Sequence, residues 1–166
     1  MRPGRELNEV IIGALGRAQR LHGMAVHGCV FLSNHYHLLL SPESPQQLAR
    51  FMNHLNSRLA REVCRLRRWS DHVWDRRYQS IEVSTEEAAQ VARLRYMLSH
   101  GCKEHLVEEP EQWPGVHCSG ALLKGERLLG CWIDRTAQYR AKRAAREAGG
   151  SEFSCREELV FSPLPC

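Results

Sequence analysis

No stretch of this sequence is apolar for long enough to cross a membrane. The longest runs, residues 29–32 and 38–40, fall far short of the roughly 20 residues that a spanning helix needs. The opening Met1-Arg2-Pro3-Gly4-Arg5-Glu6 contains no apolar signal core. A soluble, cytoplasmic protein without membrane partners is the expectation. There is no Cys-x-x-Cys pair, and the seven cysteines (29, 64, 102, 118, 131, 155 and 166) are odd in number and irregular in spacing. That pattern excludes a disulfide framework and a zinc ribbon, and fits free thiols in a reducing compartment. There is no internal repeat. The formal net charge of +4 permits a polyanionic partner without requiring one.

What is present reads as one globular domain, since 166 residues with 43% hydrophobic and 25% charged content suit a single core. Leu7, Val10, Ile11, Ala14, Leu15, Ala18 and Leu21 recur at three- and four-residue steps, which predicts a helix over about 6–21 stopped by Gly23. Residues 24–40 are rich in Val, Phe and Leu and broken only by Ser33-Asn34, the pattern of two strands and a tight turn. On the second strand His35, His37 and Leu39 share one side, and Tyr36, Leu38 and Leu40 the other.

Ser44-Pro45-Gln46-Gln47 opens a second helix with a capping box. Leu48, Phe51, Met52, Leu55, Leu59 and Leu66 give it a buried face, and Arg50, Arg58, Arg61, Arg65 and Arg68 form a basic stripe. Residues 77–83 alternate as a strand does. A third helix is expected from a cap at Ser84, with Glu87 in the box position, to a stop at Gly101. Residues 135–146 read as a short basic helix, and the tail from 149 to 166 as disordered.

Two histidines one residue apart on a strand lie roughly 7 Å apart at the backbone, close enough to hold one divalent ion through their ring nitrogens. Nine histidines in the chain make such a spacing common by chance. The third helix adds weight. With Val91, Leu94 and Leu98 as its core stripe, Tyr96 and His100 project about 140 and 180 degrees from Val91 at 100 degrees per residue. Tyr96 and His100 therefore share a face, and Arg93, one turn before Tyr96, is placed to contact a phosphate.

Together, Ser33-Asn34-His35-Tyr36-His37-Leu38-Leu39-Leu40, Val73-Trp74-Asp75-Arg76-Arg77-Tyr78, Tyr96-Met97-Leu98-Ser99-His100-Gly101 and Leu106-Val107-Glu108-Glu109-Pro110 to Trp113 resemble the single-tyrosine HUH transposases, especially the REP-associated group. The first segment matches that family's Pro-Asn-His-x-His strand, and the third its Tyr-Ile-x-x-Asn-Pro helix. The resemblance covers roughly residues 5–118, leaving 119–148 as an extension with a basic segment. It implies an α+β, ferredoxin-like sandwich in which an antiparallel sheet is backed by helices. It also implies a Mg²⁺ or Mn²⁺ ion held by His35, His37 and, by position, His100. By the same resemblance the metal would polarise the scissile phosphate of single-stranded, hairpin-forming DNA, and Tyr96 would attack to leave a 5′-phosphotyrosine link, in a monomer or homodimer. A phenol is a weak nucleophile at neutral pH, so Lewis-acid help is sound chemistry.

The chain departs from the family pattern in three places. Tyr36 fills the middle of the signature, His100-Gly101 replaces Asn-Pro, and residues 1–6 are too short and too rich in Pro and Gly to supply the strand that precedes the first helix in the family. Two other readings stay open. The transposase reading assigns DNA contacts to Arg50, Arg58, Arg61, Arg65 and Arg93; in the first alternative, a degraded, non-catalytic copy with a vestigial metal site binds nucleic acid through the stripe of the second helix with Trp69 and Trp74. In the other, the three histidines serve a metal-dependent hydrolase of small substrates.

Overall fold

The computed structural model describes residues 2–144 and 150–165. Helix α1 (Arg5–His22) is followed by strands β1 (Ala25–Phe31) and β2 (Tyr36–Ser41), then by the long helix α2 (Pro45–Arg67). After an irregular stretch come α3 (Glu87–Leu98), α4 (His100–Lys103) and α5 (Ser119–Lys124). Strand β3 (Leu128–Ile133), helix α6 (Arg135–Arg143) and strand β4 (Ser154–Leu159) complete the chain. The class is α+β, with helices backing two antiparallel pairs, β1–β2 and β3–β4, among the described residues. No helix of the described residues is long and apolar enough to cross a membrane.

The apolar stripe of α1 is buried from Leu7 to Ala18. Leu21, grouped with it by periodicity, is exposed. Gly23 ends the helix in the left-handed conformation at φ 60°, where a residue without Cβ is unstrained. Along its middle, α1 crosses β3 and β4 at backbone distance. A Cβ on Gly13 would strike the backbone of Cys131, and one on Gly16 the carbonyl of Glu158.

β1 is almost wholly buried and pairs with β2 in a register that sets Val30 opposite His37 and Phe31 opposite Tyr36. The turn between them is closed by Leu32 N–H donating to His35 O at 2.9 Å. The outer edge of β1 is covered by residues 116–118, with Phe31 N–H bonded to Val116 O and Cys118 N–H to Cys29 O. Ser44 caps α2 by accepting from Gln47 N–H. The Gln47 side chain reaches Glu43 N–H and the carbonyls of His22 and Gly23, which ties the start of α2 to the end of α1.

Four expectations fail here. Residues 77–83 form no strand, and Ile81 is 66% exposed; alternation makes a strand only where a neighbouring edge accepts its hydrogen bonds. Helix α3 starts at Glu87, and the Ser84 hydroxyl accepts from Glu86 N–H. The buried residues of α3 are Gln90 and Met97, while Val91 is 39% exposed. Gly101 lies inside α4 rather than ending a helix, and the break falls at Ser99.

The tail is not disordered throughout, because 154–159 pair with β3 and Glu157 meets Arg17 and Arg20 of α1. Ser162 N–H then donates to Val26 O on β1. Of the predicted basic helix, Arg135–Arg143 is present and residues 145–146 lie outside the described residues, as does 149 at the start of the tail. Residues 2–4, ahead of α1, form no strand.

Candidate metal and nucleophile site

Alternation along β2 decides where the histidines point. His35, closing the hairpin turn, and His37, opposite Val30, face the same side, with ring centroids 5.1 Å apart and nearly perpendicular. Gly28 on β1 lets the tyrosine helix come close, since any Cβ there would run into Met97 and Leu94 of α3. His117, beside β1, fixes the end of that helix: its Nε2–H donates to Leu98 O at 3.1 Å while its Nδ1 accepts from Ser119 N–H. Both ring nitrogens of His117 are thus engaged, and burial holds its pKa below the ordinary value.

The turn into α4 then delivers His100 onto the same spot. Its ring centroid lies 4.5 Å from that of His37 and 5.1 Å from that of His35. The Nε2 atoms of His35 and His100 are 3.0 Å apart. One ring nitrogen from each of the three histidines falls within 4.8 Å of the others.

The donor chemistry fits a divalent ion. His35 Nδ1–H donates to Asn34 Oδ1 at 2.8 Å, which leaves the Nε2 lone pair free to ligate. His37 Nε2 is buried without a hydrogen-bond partner, a costly state for a polar atom unless a ligand satisfies it. Burial, followed by the neighbouring His100, His35 and Arg93, pushes the His37 pKa down to about 4. Burial and His100 lower that of His35 too, against the opposing pull of Glu104. Both rings are therefore neutral near pH 7, the form that binds metal.

Tyr96 lies beside this triad, its ring centroid 6.2 Å from that of His37 and 5.5 Å from that of His100, and it stays 39% exposed. The Arg93 guanidinium is 5.7 Å from the Tyr96 ring centroid and the Lys103 ammonium 4.4 Å.

A family model described as "Transposase IS200 like" matches residues 5–96, from the first residue of α1 to Tyr96. The chain belongs to the IS200-like transposase family. No curated protein matches it, and no solved structure does. In this IS200-like transposase the matched segment contains His35, His37 and Tyr96, and His100 follows four residues beyond it.

Three residues of the site went unassigned from sequence. Asn34 was legible only as part of the motif, and its part in orienting His35 appears once the turn is built. Lys103, seven residues after Tyr96, carries a helical-spacing signal that the break at Ser99 obscures. Glu104, 3.9 Å from His100 Nε2, stands at the i+4 position from that histidine.

The arginine stripe of the second helix divides. Arg50 and Arg61 are exposed. Arg58 is not a surface contact: it is 7% exposed, lies 3.9 Å over the Trp132 ring, pairs with Glu62 and donates to Ile133 O. Arg65 reaches Glu62 at 3.2 Å and Glu6 at 3.9 Å. Glu62 is also gripped by two nitrogens of Arg135; these arginines hold its carboxyl below the usual range against the opposing effect of burial.

Proposed function

We propose that this transposase cleaves and rejoins single-stranded, hairpin-forming DNA, with Tyr96 as the nucleophile and His35, His37 and His100 holding Mg²⁺ or Mn²⁺. The observation that carries the reading is that the Tyr96 ring lies beside His37 and His100, two members of a three-imidazole cluster drawn from a hairpin and a separate helical turn. When bound, the divalent ion supplies Lewis-acid polarisation of the scissile phosphate. Arg93 and Lys103, which flank the ring of Tyr96, contact the phosphate oxygens and hold the phosphorus against the phenol.

The phenol oxygen forms a bond to phosphorus as the bond to the 3′ oxygen breaks. The phenol loses a proton and the departing 3′ oxygen gains one, so nothing is oxidised or reduced. A phosphodiester has been exchanged for a phosphotyrosine ester, and the energy kept in that ester lets a new 3′-hydroxyl reverse the step on another strand. Rejoining then needs no outside energy source.

The test mixes purified protein, Mn²⁺ and hairpin-forming single-stranded oligonucleotides and looks for a protein–DNA species that survives denaturation. It should form with the native protein, vanish in Tyr96→Phe and vanish in His35→Ala, while His35→Ala still binds DNA without a covalent link. Binding by the native protein with no covalent species makes the chain a nucleic-acid-binding module instead. Turnover of a small phosphoester retained in Tyr96→Phe makes it a metal-dependent hydrolase.

A further inference from the structure

A second group of cations, lined by different residues from the histidine triad, surrounds a pocket of about 360 Å³ on the exposed side of α2. His22 at the end of α1, Arg50, His54 and Arg61 of α2, and Trp132 of β3 form its principal walls. Positions 50, 54, 57 and 61 recur at helical steps, so successive turns of α2 present Arg50, His54, Ser57 and Arg61 to one opening. No carboxylate lines it. Glu62, on the same helix, is already taken by Arg58, Arg65 and Arg135, and Glu157 is taken by Arg17 and Arg20. Among the described residues, neither Arg50 nor Arg61 has an ion-pair partner.

Trp132 is held between the Arg58 guanidinium, 3.9 Å from its ring centroid, and the stacked His54 ring at 5.9 Å. The His22 and His54 rings meet edge to face at 5.4 Å, and His22 Nε2 has no hydrogen-bond partner. Burial first, then repulsion from the neighbouring His22, Arg58, Arg17 and Arg61, keeps His54 below its ordinary pKa. An anion entering there relieves that repulsion. Two guanidinium forks and two imidazole N–H groups match the several oxygens of a tetrahedral phosphate.

We infer that this pocket binds a phosphate group through Arg50 and Arg61, with His22 and His54 donating from its floor, and that the phosphate belongs to the backbone of a bound DNA strand. The second half of the inference rests on the DNA-transposase reading given above; the pocket itself does not. A strand fixed here is gripped at a point that takes no part in bond making, which sets its register without reading its sequence.

The test uses full-length, ¹⁵N-histidine-labelled protein without metal, titrated separately with inorganic phosphate and with a hairpin-forming single-stranded oligonucleotide. The ring signals of His22 and His54 should move and saturate with both probes. The Arg50→Ala/Arg61→Ala double variant, altered only at exposed positions, should bind the oligonucleotide about tenfold more weakly. Its logarithmic salt dependence should be shallower by about 0.7, the loss of one phosphate contact on a single strand. A matched Arg140→Ala/Arg156→Ala variant, also at exposed positions, should lose less than twofold. Equal losses in the two double variants, or unmoved His22 and His54 signals with both probes, overturn the pocket. Signals that answer inorganic phosphate alone overturn the assignment to DNA backbone. Because neither readout requires Tyr96 or metal, absence of the covalent species leaves this result standing, and the reverse also holds.

Discussion

The Nε2 atoms of His35 and His100 lie 3.0 Å apart although 65 residues separate them in the chain. Two unprotonated ring nitrogens do not approach so closely without a shared proton or a shared cation between them. His100→Ala should therefore weaken Mn²⁺ binding by at least tenfold, measured by calorimetry, while leaving the circular dichroism spectrum unchanged. Native-like Mn²⁺ affinity in that variant would remove His100 from the ligand set.

Asn34 holds the tautomer of His35 through its hydrogen bond to Nδ1. Residues that orient a metal-binding histidine typically cost about 10- to 100-fold in metal affinity when lost. Asn34→Ala should fall in that range, and Asn34→Asp, which keeps the acceptor, should recover most of the loss. Equal effects of the two substitutions would argue that Asn34 serves the hairpin turn rather than the histidine.

Arg58 is committed to the core, so Arg58→Ala should cost about 2–4 kcal/mol through the loss of a buried ion pair, a cation–π contact and a hydrogen bond. Arg61→Ala, at an exposed position on the next turn, should stay within about 0.5 kcal/mol of the native protein. Urea denaturation measures both. A nearly neutral Arg58→Ala would mean that the guanidinium is not buried against Trp132.

The C-terminal strand is fastened through Glu157, whose carboxyl is held below the usual carboxylate range by its hydrogen bond to Arg20, then by Arg17, against the effect of burial. Since the folded pKa is lower than the unfolded one, the ion pair contributes its full stability at pH above the unfolded carboxylate range. That contribution disappears as the pH falls through the lowered folded value. Glu157→Gln should lower stability by about 1.5–3 kcal/mol at pH 7, and the difference from the native protein should shrink as the pH falls below the ordinary carboxylate range. A difference independent of pH would show that the charge on Glu157 does not matter.

Much of the arrangement was legible in the sequence where the signal is local. The stripe of α1, the Ser44 cap of α2 and the alternation that points His35 and His37 the same way depend on neighbours within a few residues. What stayed hidden depends on distant partners. An arginine on a helix face reads as solvated until Ile133 and Trp132 arrive from 75 and 74 positions along the chain to cover Arg58. Residues 154–159 are too polar to announce a strand, and they become one because β3 offers an edge and α1 offers Arg17 and Arg20 to Glu157. Conversely, residues 77–83 alternate correctly yet find no partner edge. The histidine pair was visible in the chain, but its joining by His100 rested on resemblance until the turn at Ser99 was seen to swing that ring inward.

The central claim is that the hydroxyl of Tyr96 becomes covalently bound to DNA, and mass spectrometry of the trypsin-digested reaction product addresses it most directly. Cleavage after Arg95 and Lys103 releases the peptide 96–103, in which Tyr96 is the only tyrosine. The account predicts a nucleotide-bearing form of that peptide, produced only when Mn²⁺ is present and absent from Tyr96→Phe. Nucleotide attached to any other peptide, or a Tyr96→Phe protein that still links to DNA, would contradict it.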